Sequence, residues 1–132
     1  MVGSAIYRSL IQSGYGKKEF GGKILTPNRK ELNYLNISEV LKWFSENRPN
    51  IVIIAAAKVG GIHANNTYPT EFLLENLKIQ ANLIEVSWKY NVKRLLFLGS
   101  SCIYPKFSKQ PIKEEYLLSG ELEHTNECYA LA

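Results

Sequence analysis

Cysteine is scarce. Two residues, Cys102 and Cys128, in a chain of 132 are too few and too irregularly spaced for a disulfide framework or a structural zinc site, which takes four ligands at tight spacing. Both are expected as free thiols, and no metal is expected. Long apolar runs are missing too. The longest, residues 51–57, is far shorter than the roughly 20 residues of a membrane-spanning helix, so no membrane partner is expected. Residues 1–14 carry one Arg and no small-residue cleavage pattern behind a long apolar stretch; they do not read as a secretory signal, and a cytoplasmic location is the default expectation. Strong charge is absent as well. The net charge is +4, with Lys and Arg scattered rather than set in a stripe among aromatics, so nucleic acid is not expected as a partner. Internal repeats, low-complexity segments and linkers are not found.

What is present is 45% hydrophobic and 21% charged residues, the balance of a soluble globular domain, and the length fits one domain at most. Gly3, Ser4, Ala5, Ile6, Leu10 and Ile11 lie at helical spacing and predict a helix over residues 1–13 with Gly14 as its stop. A loop over 15–22 and a short strand over 23–26 follow, ended by Pro27 and Asn28. Ser38 is the expected cap of a helix whose apolar positions Val40, Leu41, Trp43 and Phe44 run towards Asn47, and Pro49 closes it. Residues 51–54 are β-branched and apolar on both faces, as in a strand buried within a parallel sheet. Pro69 opens the longest helical pattern, Thr70 to Tyr90, about 30 Å long. Residues 93–98 predict a second apolar strand, ending in Gly99, Ser100 and Ser101. Trp43 and Trp88 are expected to anchor helices on the sheet. Alternating strands and helices predict an α/β fold, a doubly wound parallel sheet of Rossmann type. Function in such sheets sits at the carboxyl ends of the strands, here the loops after residues 26, 54 and 98.

The stretch Met1-Val2-Gly3-Ser4-Ala5 resembles the tail of a glycine-rich dinucleotide turn, with Gly3 as the third glycine, which packs the helix onto its strand. After residues 23–26 a dinucleotide site needs a reader of the adenosine ribose. An acid there would favour NAD, but Arg29 and Lys30 stand instead, and a cation suits the extra phosphate of NADP. Two solvated basic residues at a helix start fit the same observation. Lys58, Gly60 and Gly61 either shape a pocket wall or form a plain tight turn. His63 and His124 are expected on the surface, and no motif requires Cys128.

The most specific run is Leu98-Gly99-Ser100-Ser101-Cys102-Ile103-Tyr104-Pro105, followed after a long loop by Tyr129-Ala130-Leu131-Ala132. A Ser at this strand end and a Tyr opening the next helix resemble the extended short-chain dehydrogenase/reductase superfamily. Within it, Ala55-Ala56-Ala57-Lys58-Val59-Gly60-Gly61-Ile62 and Asn65-Asn66-Thr67-Tyr68-Pro69 make nearly the whole chain similar to the GDP-L-fucose synthase family.

That resemblance implies an NADPH-dependent epimerase-reductase acting on a GDP-sugar, GDP-4-keto-6-deoxy-D-mannose, and working as a homodimer. It implies Tyr129 as the acid that protonates the 4-keto oxygen, Ser100 as a hydrogen-bond donor to that oxygen, and Cys102 as the base in 3,5-epimerisation. The cofactor-binding set it implies is Gly3, Arg29, Lys30, Glu31, Leu32, Asn33 and Tyr34 at the adenosine end, with Leu98, Gly99, Ser100 and Ser101 along the strand end. The whole chain, residues 1–132, would then be part of an NAD(P)-binding domain. The resemblance puts a first strand before Met1, central in the sheet with residues 23–26 and 51–54 on one side of it and 93–98 on the other. It puts the catalytic Lys, a partner His and a substrate domain after Ala132. The alternatives are another nucleotide-sugar epimerase or dehydratase, or a sensor on the same fold that binds cofactor without catalysis. On either side of the absent strand backbone groups would lack partners, so these 132 residues are expected to be unstable and inactive alone.

Overall fold

The computed structural model describes residues 1–17, 19 and 22–132, so part of the loop expected at 15–22 lies outside the described residues. The elements run α1 (Val2–Gln12), α2 (Ile37–Asn47), β1 (Ile51–Ile54), α3 (Ile62–Thr67), α4 (Pro69–Lys89), β2 (Arg94–Phe97) and α5 (Glu127–Leu131), with short 3-10 turns between β2 and α5. The two strands pair in parallel, Ile51 beside Arg94 through Ile54 beside Phe97. Leu98 extends the ladder by donating its amide to the Ile54 carbonyl at 3.2 Å. A parallel pair needs a crossover long enough to return the chain to the same end of the sheet, and α3 with α4 supplies it. The helix-strand alternation and the parallel sheet expected from the sequence are both found.

The strand order differs from the expectation. β1 and β2 are immediate neighbours, so no central strand stands between residues 51–54 and 93–98; any additional strand on the β1 side has to join at the far edge of β1. Residues 23–26 are not a strand. A strand exists by its ladder, and among the described residues this segment has none; the side chain of Ile24 instead approaches Gly16. Burial differs as well. β1 runs from half-exposed Ile51 to buried Ile54, and all four residues of β2 are exposed. The β-branched, two-faced pattern is that of a covered sheet, whereas only one face of β1 is packed.

The core lies where α2, α4 and the end of β1 meet. Val40 and Phe44 from α2, Ile54 from β1, Ile79, Leu83 and Val86 from α4, and Leu32 from the preceding loop form one buried cluster. Fully burying side chains of this size stabilises by about 1.5–3 kcal/mol each. α2 begins one residue ahead of the expected cap: Asn36 accepts from the amides of Ser38 and Glu39 at 3.0 and 3.4 Å, and its own amide donates to the Glu39 carboxylate at 2.9 Å. Asn serves better than Ser38 because its side chain reaches both first-turn donors from extended backbone, worth about 1 kcal/mol. α2 closes on Arg48 in the left-handed region, φ 46°, held by its guanidinium over the Tyr90 ring at 4.8 Å. Gly14, at φ 89°, follows the end of α1 as a helix stop should.

Trp43 packs against the core and edge-on to Phe44 at 5.5 Å. Trp88 is 77% exposed and anchors nothing on the sheet, because its position on α4 points away from the stripe formed by Ile79, Leu83 and Val86. Among the described residues no helix is long and apolar enough to cross a membrane, and no group of three His, Cys, Asp or Glu is placed to hold a metal ion.

With Leu95, Leu96 and Phe97 exposed beside Ile51, these 132 residues alone are expected to bind an apolar reporter dye and to unfold over a broad thermal transition. Calorimetry and dye fluorescence on the isolated chain test this; a sharp two-state transition without dye binding would refute it.

Candidate active site

The loop after β1 is built around a side chain buried in α4. Asn76 accepts from the Lys58 amide at 2.7 Å and donates to the Lys58 carbonyl at 3.0 Å and the Phe72 carbonyl at 2.7 Å. One carboxamide thereby satisfies the donor and acceptor of a single loop residue, as a neighbouring strand would. The Lys58 ammonium pairs with Glu75 on the next position of α4. Gly60 lies so close to α4 that a Cβ there would meet the Phe72 ring at 2.9 Å and Ala64 at 3.0 Å; this contact, more than turn geometry, demands glycine. Asn65 on α3 closes the loop by donating to the Gly60 and Gly61 carbonyls, both at 3.0 Å. Lys58 is therefore committed to a structural ion pair, and Gly60 to packing.

The loop after β2 carries the expected catalytic run. Gly99 has nothing within 4 Å of where a Cβ would stand, so the strand end opens into free space. Ser100 is the cap of the 3-10 turn Ser101–Ile103; its hydroxyl oxygen accepts from the Cys102 amide at 3.2 Å. That bond uses an oxygen lone pair and leaves the Ser100 proton available to another acceptor. Cys102 is half-buried, and its Sγ accepts from the Asn126 carboxamide at 3.3 Å. Cys102 and Asn126 line an open groove of about 300 Å³ with Tyr104, Lys106 and Glu123. Lys106 and Glu123 pair across it at 2.6 Å, and this hydrogen bond to Lys106, helped by the Thr125 amide, holds the Glu123 carboxyl below its ordinary range.

The helix that bears Tyr129, α5, packs against the Ser101–Ile103 turn and against α4. The Tyr129 ring meets Phe72 edge-on at 6.5 Å, and the end of α5 is tied to α4 by the Gln80 side chain donating to the Ala132 carbonyl. The structure thus brings together the turn holding Ser100 and Cys102 and the helix holding Tyr129, two segments 24 or more residues apart in sequence.

The residues expected at the adenosine end lie along the edge formed by residues 28–34. Arg29 and Lys30 are exposed in a turn closed by the Asn28 amide donating to Glu31 at 2.8 Å and the Lys30 amide donating to Asn28 at 2.9 Å. Among the described residues Arg29 makes no ion pair, so its guanidinium is open to a phosphate. Glu31 is spent on the turn. Leu32 is 2% exposed within the core, which corrects its assignment: its side chain is not offered to a ligand. Asn33 stabilises the approach to α2, accepting from the Leu35 amide at 3.1 Å. Tyr34 donates to the Pro27 carbonyl at 3.3 Å, its own carbonyl accepts from Asn82, and burial raises its phenol above the ordinary value; it holds the segment to α4. Gly3 sits where a Cβ would be 3.6 Å from that of Ala55, ordinary contact, so α1 starts against the end of β1 although the spacing does not itself require glycine. α1 has no side-chain cap hydrogen bond. The open strand end at Gly99, the start of α1 beside Ala55 and the exposed Arg29, without an ion pair among the described residues, fit a dinucleotide phosphate ester.

The NAD dependent epimerase/dehydratase family matches residues 1–132, the full length of the chain. The chain belongs to this family. It is 51% identical over its whole length to GDP-L-fucose synthase 1 of Arabidopsis thaliana and 50% identical to GDP-L-fucose synthase of Escherichia coli (strain K12), and it spans 39% of the length of each. Among solved structures it superposes on a GDP-L-fucose synthetase from Naegleria fowleri bound to NADP, with a TM-score of 0.83 and 27% identity over 98% of this chain and 40% of that one. The family membership agrees with the Rossmann-type parallel sheet and with the resemblance read from the sequence.

Asn76 and Asn126 escaped the reading of the sequence, and Asn65 entered it only as part of the run 65–69. For Asn76 a signal existed: it falls on the buried stripe of α4, four residues after Phe72 and three before Ile79, where a polar side chain needs a reason. Asn76→Ala is expected to leave the Lys58 amide and carbonyl without partners, costing about 1–3 kcal/mol for each group that stays buried. Denaturant unfolding measures this; Asn76→Ala at wild-type stability would show that the clamp does not hold the loop.

Proposed function

We propose that this chain provides the nucleotide-binding part of a GDP-L-fucose synthase-like enzyme, an NADPH-dependent epimerase-reductase converting GDP-4-keto-6-deoxy-D-mannose to GDP-L-fucose. The observation that carries this reading is the packing of the Tyr129 helix on the turn that presents Ser100 and Cys102 beside an open strand end. The half-identity to plant and bacterial GDP-L-fucose synthases supports it.

Each residue has a task its surroundings permit. Ser100 holds a free hydroxyl proton for the 4-keto oxygen and so stabilises the charge that grows there during reduction. Tyr129 delivers the proton that turns that oxygen into the product hydroxyl. Hydrogens on carbons next to the ketone are acidic, because the enolate spreads the charge onto the same oxygen; the Cys102 sulfur removes each from one face, and the partner acid that the family resemblance puts after Ala132 returns a proton to the opposite face, which inverts C3 and C5. Arg29, with Lys30, would hold the adenosine phosphate of NADP, the α1 start at Gly3 would lie near its diphosphate, and Leu98 to Ser101 would line its nicotinamide end. The cofactor, when bound, supplies the hydride. The working compartment is the cytoplasm, the partner is the GDP-sugar, and neither nucleic acid nor membrane enters the reading.

In the active enzyme that carries this sequence, Tyr129→Phe is expected to lower reduction by roughly 10²–10⁴-fold, and Cys102→Ser to abolish exchange of the substrate's C3 and C5 hydrogens with deuterated solvent while NADPH binding persists. Exchange at the wild-type rate in Cys102→Ser would end the assignment.

The homodimer belongs to the same proposal. Leu74, Leu77, Ala81, Ile84 and Trp88 repeat every three or four residues along α4 and are exposed, the narrow apolar stripe of a helix that pairs with another helix. Ile84→Glu with Trp88→Glu should convert the enzyme to monomers in sedimentation; an unchanged dimer would place the interface elsewhere.

A further inference from the structure

Asn126 stands at the cap position of α5, yet its side chain makes no capping bond. At a cap, an Asn carboxamide oxygen ordinarily accepts from the first free helix amides. Here that oxygen is buried without a partner, and the amide nitrogen is turned to the Cys102 sulfur at 3.3 Å. The helix start gives up its cap bond, and the nearby turn is fastened by other means: Glu123 accepts from the Thr125 amide and hydroxyl, both at 3.2 Å, while it pairs with Lys106. The bond between Asn126 and Cys102 joins the two segments of the candidate site.

We infer that Asn126 is a positioning residue for Cys102, its carboxamide N–H holding the sulfur in place as a proton acceptor. The direction of the bond supports this. A thiolate only accepts hydrogen bonds, and a donor aimed at it strengthens when the sulfur carries charge. Other titratable groups on elements packed against Cys102 are Tyr104, Lys106 and Glu123 in the groove, His124 on the turn that bears Asn126, and Glu127, Cys128 and Tyr129 on α5. Lys106 and Glu123 offset each other as a pair, leaving the neutral Asn126 as the donor in contact with the sulfur. The inference rests on the reading of Cys102 as the epimerisation base and adds to it the group that prepares the base.

The test uses the active enzyme and follows alkylation of Cys102 by iodoacetamide across about pH 6 to 10, around the ordinary thiol range, with Cys128 as an internal reference. Asn126→Ala is expected to slow alkylation of Cys102 at neutral pH roughly tenfold, as loss of a hydrogen bond to a charged group would, and to move its rate profile to higher pH while Cys128 is unchanged. Asn126→Asp keeps a residue suited to helix capping and so preserves the fold, but sets a carboxylate against the sulfur; the shift should be at least as large, and solvent exchange of the substrate's C3 and C5 hydrogens should fall with it. A Cys102 profile unchanged in both variants overturns the inference. Exchange that survives Cys102→Ser overturns the underlying assignment instead, so the two failures are told apart.

Discussion

The geometry of the candidate site depends on one buried carboxamide. Asn76 ties both backbone groups of Lys58 to α4, and so fixes where the chain goes after leaving β1. The same turn of the helix bears Phe72, which fills the space that Gly60 leaves and supports the edge of the Tyr129 ring. A polar side chain in an apolar stripe is costly unless its bonds are made; here all three are, and the loop is rigid as a result. The helix that crosses between the strands therefore also serves as the platform on which the two site loops are mounted.

Around that platform the polar side chains divide between holding the scaffold and facing open space. Lys58 and Glu31, both candidates for ligand contact by position, are paired with Glu75 and with the Asn28 amide. Leu32 and Tyr34 bind the segment after residue 28 to the core and to α4. Among the described residues, the groups facing open space include the exposed guanidinium of Arg29, the hydroxyl proton of Ser100, the open position at Gly99 and the Cys102 sulfur with its Asn126 donor. In the proposed reaction these groups serve as a cation for a phosphate, a donor for a ketone and a base for carbon-bound hydrogen.

Five of the six elements read from the sequence stand within about two residues of their expected ends, the usual uncertainty at helix and strand termini: α1, α2, β1, the Pro69–Lys89 helix and β2. α2 was legible as a helix but not at its cap, since Ser38 and Asn36 are both capable and only the backbone at Asn36 is extended enough to reach inward. Residues 23–26 have strand composition and no ladder, because pairing is a property of two segments and not of one. α3 is too short, at six residues, to show a helical period.

The sequence by itself determined the alternation of strands and helices, the crossover between β1 and β2, the family resemblance and the residue types of the candidate site, because each is written in local spacing or in a contiguous motif. Only the tertiary structure decided that β1 lies directly beside β2, that Trp88 faces outward, that Leu32 is core, and that Asn76 and Asn126 reach across to Lys58 and Cys102. Those facts join residues 18 and 24 positions apart, and a hydrogen bond between distant segments leaves no period or motif along the chain from which it could be read.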